Sequence, residues 1–341
     1  MKIAIDIMGT DHGPKELVLG AVNAVKKYDC EVVLVGDEEV AKEWLGKYNA
    51  LDNQRIKIQH ASQVINMDEH PAIAVKSKKD ASIVVASKML RAGECDALVS
   101  AGSTGAASVA AVLCVGRIKG VERPAIATPF PNQNGTTVVL DSGSMVDAKP
   151  INLVHSAIMG SVYAEKLLNL KNPRVGLLSV GEEETKGNEQ TLATYPLLKE
   201  TKQINFKGNV EGRDITNGSV DVVVCDGFVG NVVLKLGEGL AKAIFNLMKE
   251  AILGGGLLAK IGGALIKPAM VKLKERMDPN AYGGALLLGV KAPFIICHGS
   301  SKAYAITNAI GVAAKFTENN LVSAITEKIA ESQKRNEETD K

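Results

Sequence analysis

Residues 96–116 read Asp96-Ala97-Leu98-Val99-Ser100-Ala101-Gly102-Ser103-Thr104-Gly105-Ala106-Ala107-Ser108-Val109-Ala110-Ala111-Val112-Leu113-Cys114-Val115-Gly116. From 97 onward this stretch has no charge and is about long enough to cross a bilayer. Its middle argues against that. Ser100, Gly102, Ser103, Thr104 and Gly105 put turn and capping residues halfway along, so the segment reads as a buried strand (96–100), a tight turn, and a small-residue helix (104–115) that packs closely on a sheet. A strand handing over to a helix through a glycine loop is the repeating unit of an α/β protein.

The same unit recurs in both directions along the chain. Residues 2–7, 31–36, 56–59, 136–140, 174–180, 220–225 and 293–297 read as strands. Residues 14–27, 40–45, 81–92, 152–168, 188–201, 228–252 and 302–316 read as helices. Alternation at this spacing predicts a three-layer α/β/α sandwich around a mainly parallel sheet. No linker splits it, so 1–330 reads as a single domain and 331–341 as a polar tail. Within that domain a helical hairpin is expected at about 229–278, because Gly254-Gly255-Gly256 and Pro268 break an otherwise apolar helical run.

Bulk properties exclude several classes. The 341 residues carry a net charge of only +2, which gives no field for nucleic acid. The five cysteines are scattered and never spaced CxxC, so neither a zinc site nor a disulfide framework is expected. A strand begins at once after Met1, with no apolar leader. The P-loop, the dinucleotide fingerprint, the HExxH zinc motif and the GxSxG nucleophile elbow are all missing. No cofactor and no metal is expected.

In such sheets ligands sit beyond the carboxyl ends of the strands. The post-strand loops at 6–14, 100–106, 181–189, 225–231 and 298–301 each place glycine and small polar residues there. Glycine lets backbone N–H groups approach an anion, and a helix N-terminus favours negative charge. The candidate anion-site residues are Asp6, Asp11, His12, Gly102, Ser103, Thr104, Gly105, Lys186, Asn188, Asp226, Gly230, Asn231 and His298. Each has a plainer alternative. Lys186 can be a solvated lysine balancing Glu182, Glu183 and Glu184. Asn231 can be an N-cap, the 6–12 loop a structural turn, and His298 a buried histidine bonded to backbone.

Taken together, Ile3-Ala4-Ile5-Asp6-Ile7-Met8-Gly9-Thr10-Asp11-His12-Gly13-Pro14, Val99-Ser100-Ala101-Gly102-Ser103-Thr104-Gly105-Ala106, Leu140-Asp141-Ser142-Gly143-Ser144-Met145-Val146-Asp147, Lys186-Gly187-Asn188-Glu189-Gln190, Cys225-Asp226-Gly227-Phe228-Val229-Gly230-Asn231 and Cys297-His298-Gly299-Ser300-Ser301 resemble, in order, the motifs of the PlsX family of fatty acyl-ACP:phosphate acyltransferases. The family usually has Gly where this chain has Thr10, Asn where it has Ser103, and Gly-Ala-Asn where it has Gly143-Ser144-Met145, so backbone donors would have to serve at Ser103 and Met145.

The resemblance implies a fold similar to the phosphotransacetylases and the isocitrate/isopropylmalate dehydrogenases, a homodimer, and no cofactor. It implies an acyl carrier protein donor, inorganic phosphate as acceptor, and an acyl phosphate that feeds a membrane-bound glycerol-phosphate acyltransferase. Lys186 would act on the phosphate, Asn231 on the oxyanion or the phosphate, and His298 on the carbonyl or the leaving sulfur. The implied location is cytoplasmic and peripheral to the membrane, with Leu253, Leu257, Leu258 and Ile261 as an apolar tip; a dimer interface is the alternative use of 251–274. Two other functions compete: a short-chain acyl-CoA phosphotransacetylase, and a non-catalytic membrane scaffold.

Overall fold

The computed structural model describes residues 1–339; the last two residues of the expected tail lie outside them. The first half runs β1 (Lys2–Asp6), α1 (Pro14–Lys27), β2 (Glu31–Gly36), α2 (Glu38–Lys47), β3 (Ile56–His60), α3 (Pro71–Ser77), α4 (Ser82–Ala92), β4 (Ala97–Ser100) and α5 (Thr104–Ala110). Then follow β5 (Ala125–Pro131), β6 (Thr136–Leu140), α6 (Pro150–Leu167), β7 (Arg174–Leu178), α7 (Glu189–Glu200), β8 (Asn205–Val210), α8 (Gly212–Asn217) and β9 (Val222–Val224). The chain closes with α9 (Gly227–Gly254), α10 (Gly256–Met277), β10 (Ala285–Leu288), β11 (Phe294–Ile296), α11 (Ala303–Glu318) and α12 (Leu321–Thr339). The last helix continues through most of the stretch expected as a tail.

Among the described residues the strands form one eleven-stranded sheet, in the order β3-β2-β1-β4-β11-β10-β5-β6-β9-β7-β8. Seven neighbouring pairs are parallel. The three in the middle, β11–β10, β10–β5 and β5–β6, are antiparallel. Three reversals in succession turn the direction over. The loops after β1, β4 and β11 therefore leave one edge of the sheet, and those after β6, β9 and β7 leave the opposite edge.

Helices cover both faces. Ile3, Leu17, Leu34, Leu153, Ile158 and Ile306 share the core that joins α1, α6 and α11 to one face. Ala4, Val84, Leu98, Ala107 and Phe294 share the core under α4 and α5 on the other. Val139, Val210, Val223 and Cys225 form a third beneath α8 and the root of α9. Strands buried on both faces must be apolar throughout, which is why β9 is Val222-Val223-Val224 with no exposure at all. Helix α6 is apolar nearly all round because it is enclosed between the sheet, α7 and α12.

α9 and α10 behave differently. Beyond Gly230 neither helix buries a residue fully. They form a hairpin that turns at Gly255 and packs along its own length, with Ile252 against Gly263. No helix among the described residues is long and apolar enough to cross a membrane.

Candidate active site

One group of loops gathers where β6, β9 and β7 end side by side. Asp141, directly after β6, is fully buried. Its carboxylate accepts from the backbone N–H of Ile126 (2.9 Å), Gly143 (3.2 Å), Ser144 (3.0 Å) and Met145 (2.6 Å), and from Ser144 Oγ (2.7 Å). Burial still raises its pKa, because it is far from water. These bonds fold residues 142–145 into a tight loop.

The N-terminus of α9 docks on that loop. Asp226 caps the helix, accepting from the N–H of Phe228 and Val229 (both 2.9 Å). Gly227 and Gly230 allow the approach. A Cβ on Gly230 would stand 1.9 Å from the Asp141 carbonyl oxygen, and one on Gly227 would stand 2.8 Å from Asp141 Oδ2. Asn231, half-buried in the next position, lays its amide over Gly143.

The loop after β7 carries Lys186 to the neighbouring position in the strand order. Its backbone is held at the carbonyl by Ser179 Oγ (3.2 Å) and Asn209 Nδ2 (3.4 Å), and Asn209 also bonds Glu183 (2.8 Å). Of the acidic residues beside it, Glu184 pairs with Lys199 and Glu182 with Arg213, while Glu183 and Lys186 both lie against Gly181. Among the described residues the exposed Lys186 ammonium forms no ion pair within 4 Å. Asn188 caps α7, accepting from Thr191 N–H (2.9 Å). Gln190 Nε2 donates to Ala148 O, tying this loop to the one after β6.

The other candidates lie at the opposite edge. Asp6 is buried at the end of β1 and accepts from Ser100 Oγ (2.9 Å); Ser100 Oγ in turn accepts from Gly102 N–H (3.3 Å). Burial pushes the Asp6 carboxyl up to about 6. A cavity of about 10 Å³, room for one water, lies between Asp6, Ser82, Ser100 and Ser103. Ser103 caps α5 by accepting from Ala106 N–H (3.4 Å), so its hydroxyl is already engaged; Thr104 and Gly105 follow in the first turn of α5. Asp11 N–H donates to Gly299 O (3.1 Å), which joins the first and last of these loops; His12 is exposed beside it. His298 is exposed rather than buried, and its Nδ1 accepts from Ser300 N–H (3.2 Å), so a neutral ring carries its proton on Nε2 and presents it outward.

α9 connects the two edges. Asn231 stands near its N-terminus, Gly237 meets Phe130 on the way, and Glu238 comes within electrostatic reach of His298. Burial raises the Glu238 carboxyl, and His298 and Lys235 pull it back down. Asn231 and Glu238 are seven residues apart, about 10 Å along the axis. A single phosphate held at Asn231 is therefore too small to touch His298 as well. Sequence reasoning assigned no site role to Asp141 or Gly143. Their signal was a carboxylate followed by Ser-Gly-Ser directly after a strand.

A family model described as fatty acid synthesis protein matches residues 1–324. A phosphate acyltransferase from Pelotomaculum thermopropionicum is 56% identical over 329 residues, covering 96% of this chain and 95% of that protein. A phosphotransacetylase from Streptococcus pyogenes has the same fold, with a TM-score of 0.62 at 15% identity over 95% of this chain and 94% of the other. A phosphotransacetylase from Staphylococcus aureus gives a TM-score of 0.60 at 16% identity over 93% and 94%.

Proposed function

Since this chain belongs to the PlsX family of phosphate acyltransferases, and is an acyltransferase with phosphate as acceptor, we propose that its donor is a long-chain fatty acyl thioester of acyl carrier protein. The acyl phosphate it releases then serves phospholipid synthesis.

The observation that carries the reading is the apposition of Asn231 and the Gly143 loop at the head of α9, with Lys186 on the loop after the neighbouring strand β7. Phosphate is already anionic at neutral pH and a thiolate leaves readily, so little acid–base help is required. Position and charge matter more. Lys186 holds the phosphate as a point charge. A phosphate oxygen attacks the thioester carbon, forming the C–O bond. The developing oxyanion takes the Asn231 amide, which the Gly143 loop positions while its own N–H groups stay committed to Asp141. The C–S bond then breaks, its electron pair leaves on sulfur, and solvent protonates the thiolate. With the phosphate at Asn231, His298 stands toward the donor end of a long substrate.

The exposed apolar side of the hairpin supports a homodimer. Leu257 and Leu258, 75% and 85% exposed at the turn, support a reversible contact with the membrane that hosts a glycerol-phosphate acyltransferase. The protein would then be cytoplasmic and peripheral.

Purified protein with palmitoyl-ACP and labelled phosphate tests the reading, run beside palmitoyl-CoA and acetyl-CoA. Labelled acyl phosphate from the carrier donor is expected. Product from CoA donors alone would transfer the chain to a phosphotransacetylase activity.

A further inference from the structure

The lysines of the hairpin are ordered. On α9 they are Lys235, Lys242 and Lys249, and on α10 Lys260, Lys267 and Lys274 keep the same seven-residue spacing, with Lys272 alone falling outside it. Seven residues are nearly two turns, so each set forms a single stripe. The α9 lysines stand twenty, thirteen and six residues before Gly255, and the α10 lysines five, twelve and nineteen after it. Folded at Gly255, the two stripes match in height and make three rungs about 10 Å apart.

Both stripes face the same side. On α9, Lys235 and Lys242 each follow by one position a half-buried residue, Leu234 and Ala241, on the side toward α10 or the body. On α10, Lys260 follows half-buried Ala259, and Lys267 and Lys274 repeat that phase. Antiparallel helices with the same offset from their shared seam present those positions together. All six lysines are exposed, and among the described residues none forms an ion pair. The opposite side is apolar: Leu236, Leu240 and Leu247 on α9, and Leu258 and Leu265 on α10 are each more than half exposed.

We propose that this lysine ladder is the docking surface for the acidic carrier protein that brings the acyl thioester, an inference that rests on the donor assigned above. One feature favours a protein over a lipid surface: the ladder leads to the reacting centre. Asn231 stands four residues before Lys235, on the same stripe, so a carrier seated on the ladder has its thioester arm next to the phosphate site. Three rungs of positive charge fit an acidic helix of the carrier, and the partner's apolar face is not needed.

The test is the triple charge reversal Lys242→Glu, Lys249→Glu and Lys267→Glu in the full chain, with Lys267→Glu alone as the milder variant. KM for palmitoyl-ACP is expected to rise about tenfold or more, with kcat and the KM for phosphate unchanged and the salt dependence of KM reduced. Turnover of palmitoyl-CoA, which lacks the acidic protein, should not change. An unchanged KM for the carrier donor overturns the proposal, as does an equal loss with both donors. Loss of binding to phosphatidylglycerol vesicles with carrier KM intact would assign the lysines to the membrane instead. If the unaltered enzyme makes no acyl phosphate from palmitoyl-ACP, the donor reading is what fails. Direct titration with the carrier then decides the docking: weaker binding to the triple variant supports it, and equal binding ends it.

Discussion

Asn231 lies directly over Gly143: its amide nitrogen is 3.1 Å from the point where a Cβ on Gly143 would stand. Gly143 also has φ +140°, a backbone setting that side chains resist. Gly143→Ala should therefore displace Asn231 or open the loop. The expected result is a loss of roughly 10²–10³ in kcat, the scale of one oxyanion donor, matched by Asn231→Ala. Steady-state kinetics of the two single variants and the double variant check it; fully additive losses would mean that the two residues do not act together.

Lys186→Ala should raise the KM for phosphate and lower kcat/KM by about 10² or more, while leaving the melting temperature nearly unchanged because the side chain is exposed. Lys186→Arg keeps the charge and should recover part of the loss. Retention of full activity by the alanine variant would remove Lys186 from the mechanism.

Asp141→Asn replaces an acceptor of five donors by an amide that must turn an NH₂ group toward some of them. It should destabilise the protein by about 2–4 kcal/mol and reduce activity, since the loop it folds also faces Asn231. Urea denaturation measures the first effect. A midpoint equal to that of the parent protein would show that the loop holds itself.

Asp6 makes stability depend on pH. Its carboxyl is raised from 3.8 to about 6 in the folded protein, so folding favours the protonated form. That contribution is complete below about pH 4 and is lost as pH rises through about 6. The full span is about 3 kcal/mol. Asp6→Asn, which never ionises, should lose less stability than the parent between pH 4 and pH 6, and the difference should be constant above that. Parallel curves across this window would show that Asp6 does not titrate there.

Leu257→Glu with Leu258→Glu should abolish flotation with anionic liposomes and leave transfer in solution intact. Burying one such leucine contributes about 1.5–3 kcal/mol. Unchanged flotation would confine the hairpin to contacts between protein chains.

Much of this was legible in the sequence, and the exceptions have physical causes. β4, β9 and the long α9 announce themselves, because a strand buried on both faces must be apolar and a helix after it must be capped. β5 was hidden by Pro129 and Pro131. The structure tolerates them because β10 pairs only with Ala125–Ala127, so no ladder is missing an N–H where the prolines stand. β8 was too polar to read as a strand, and it lies at the edge of the sheet. Ser103, Asn188 and Asp226 were found as candidate ligands because caps and anion ligands draw on the same residue types; all three are caps. Asp141 was missed because its partners are backbone N–H groups that a sequence does not display. The three reversals from β11 to β6, which send the two loop groups to opposite edges, depend on β10 pairing with the distant β5.

That middle region also sets a timetable for biosynthesis. β11 slots between β4 and β10, and α11 packs on α1, so the first half of the sheet is completed by some of the last residues to be translated. On the ribosome, β4 must wait as an unfinished edge while most of the polypeptide emerges. A ribosome that stalls before Phe294 leaves a nascent chain whose sheet is open at its centre.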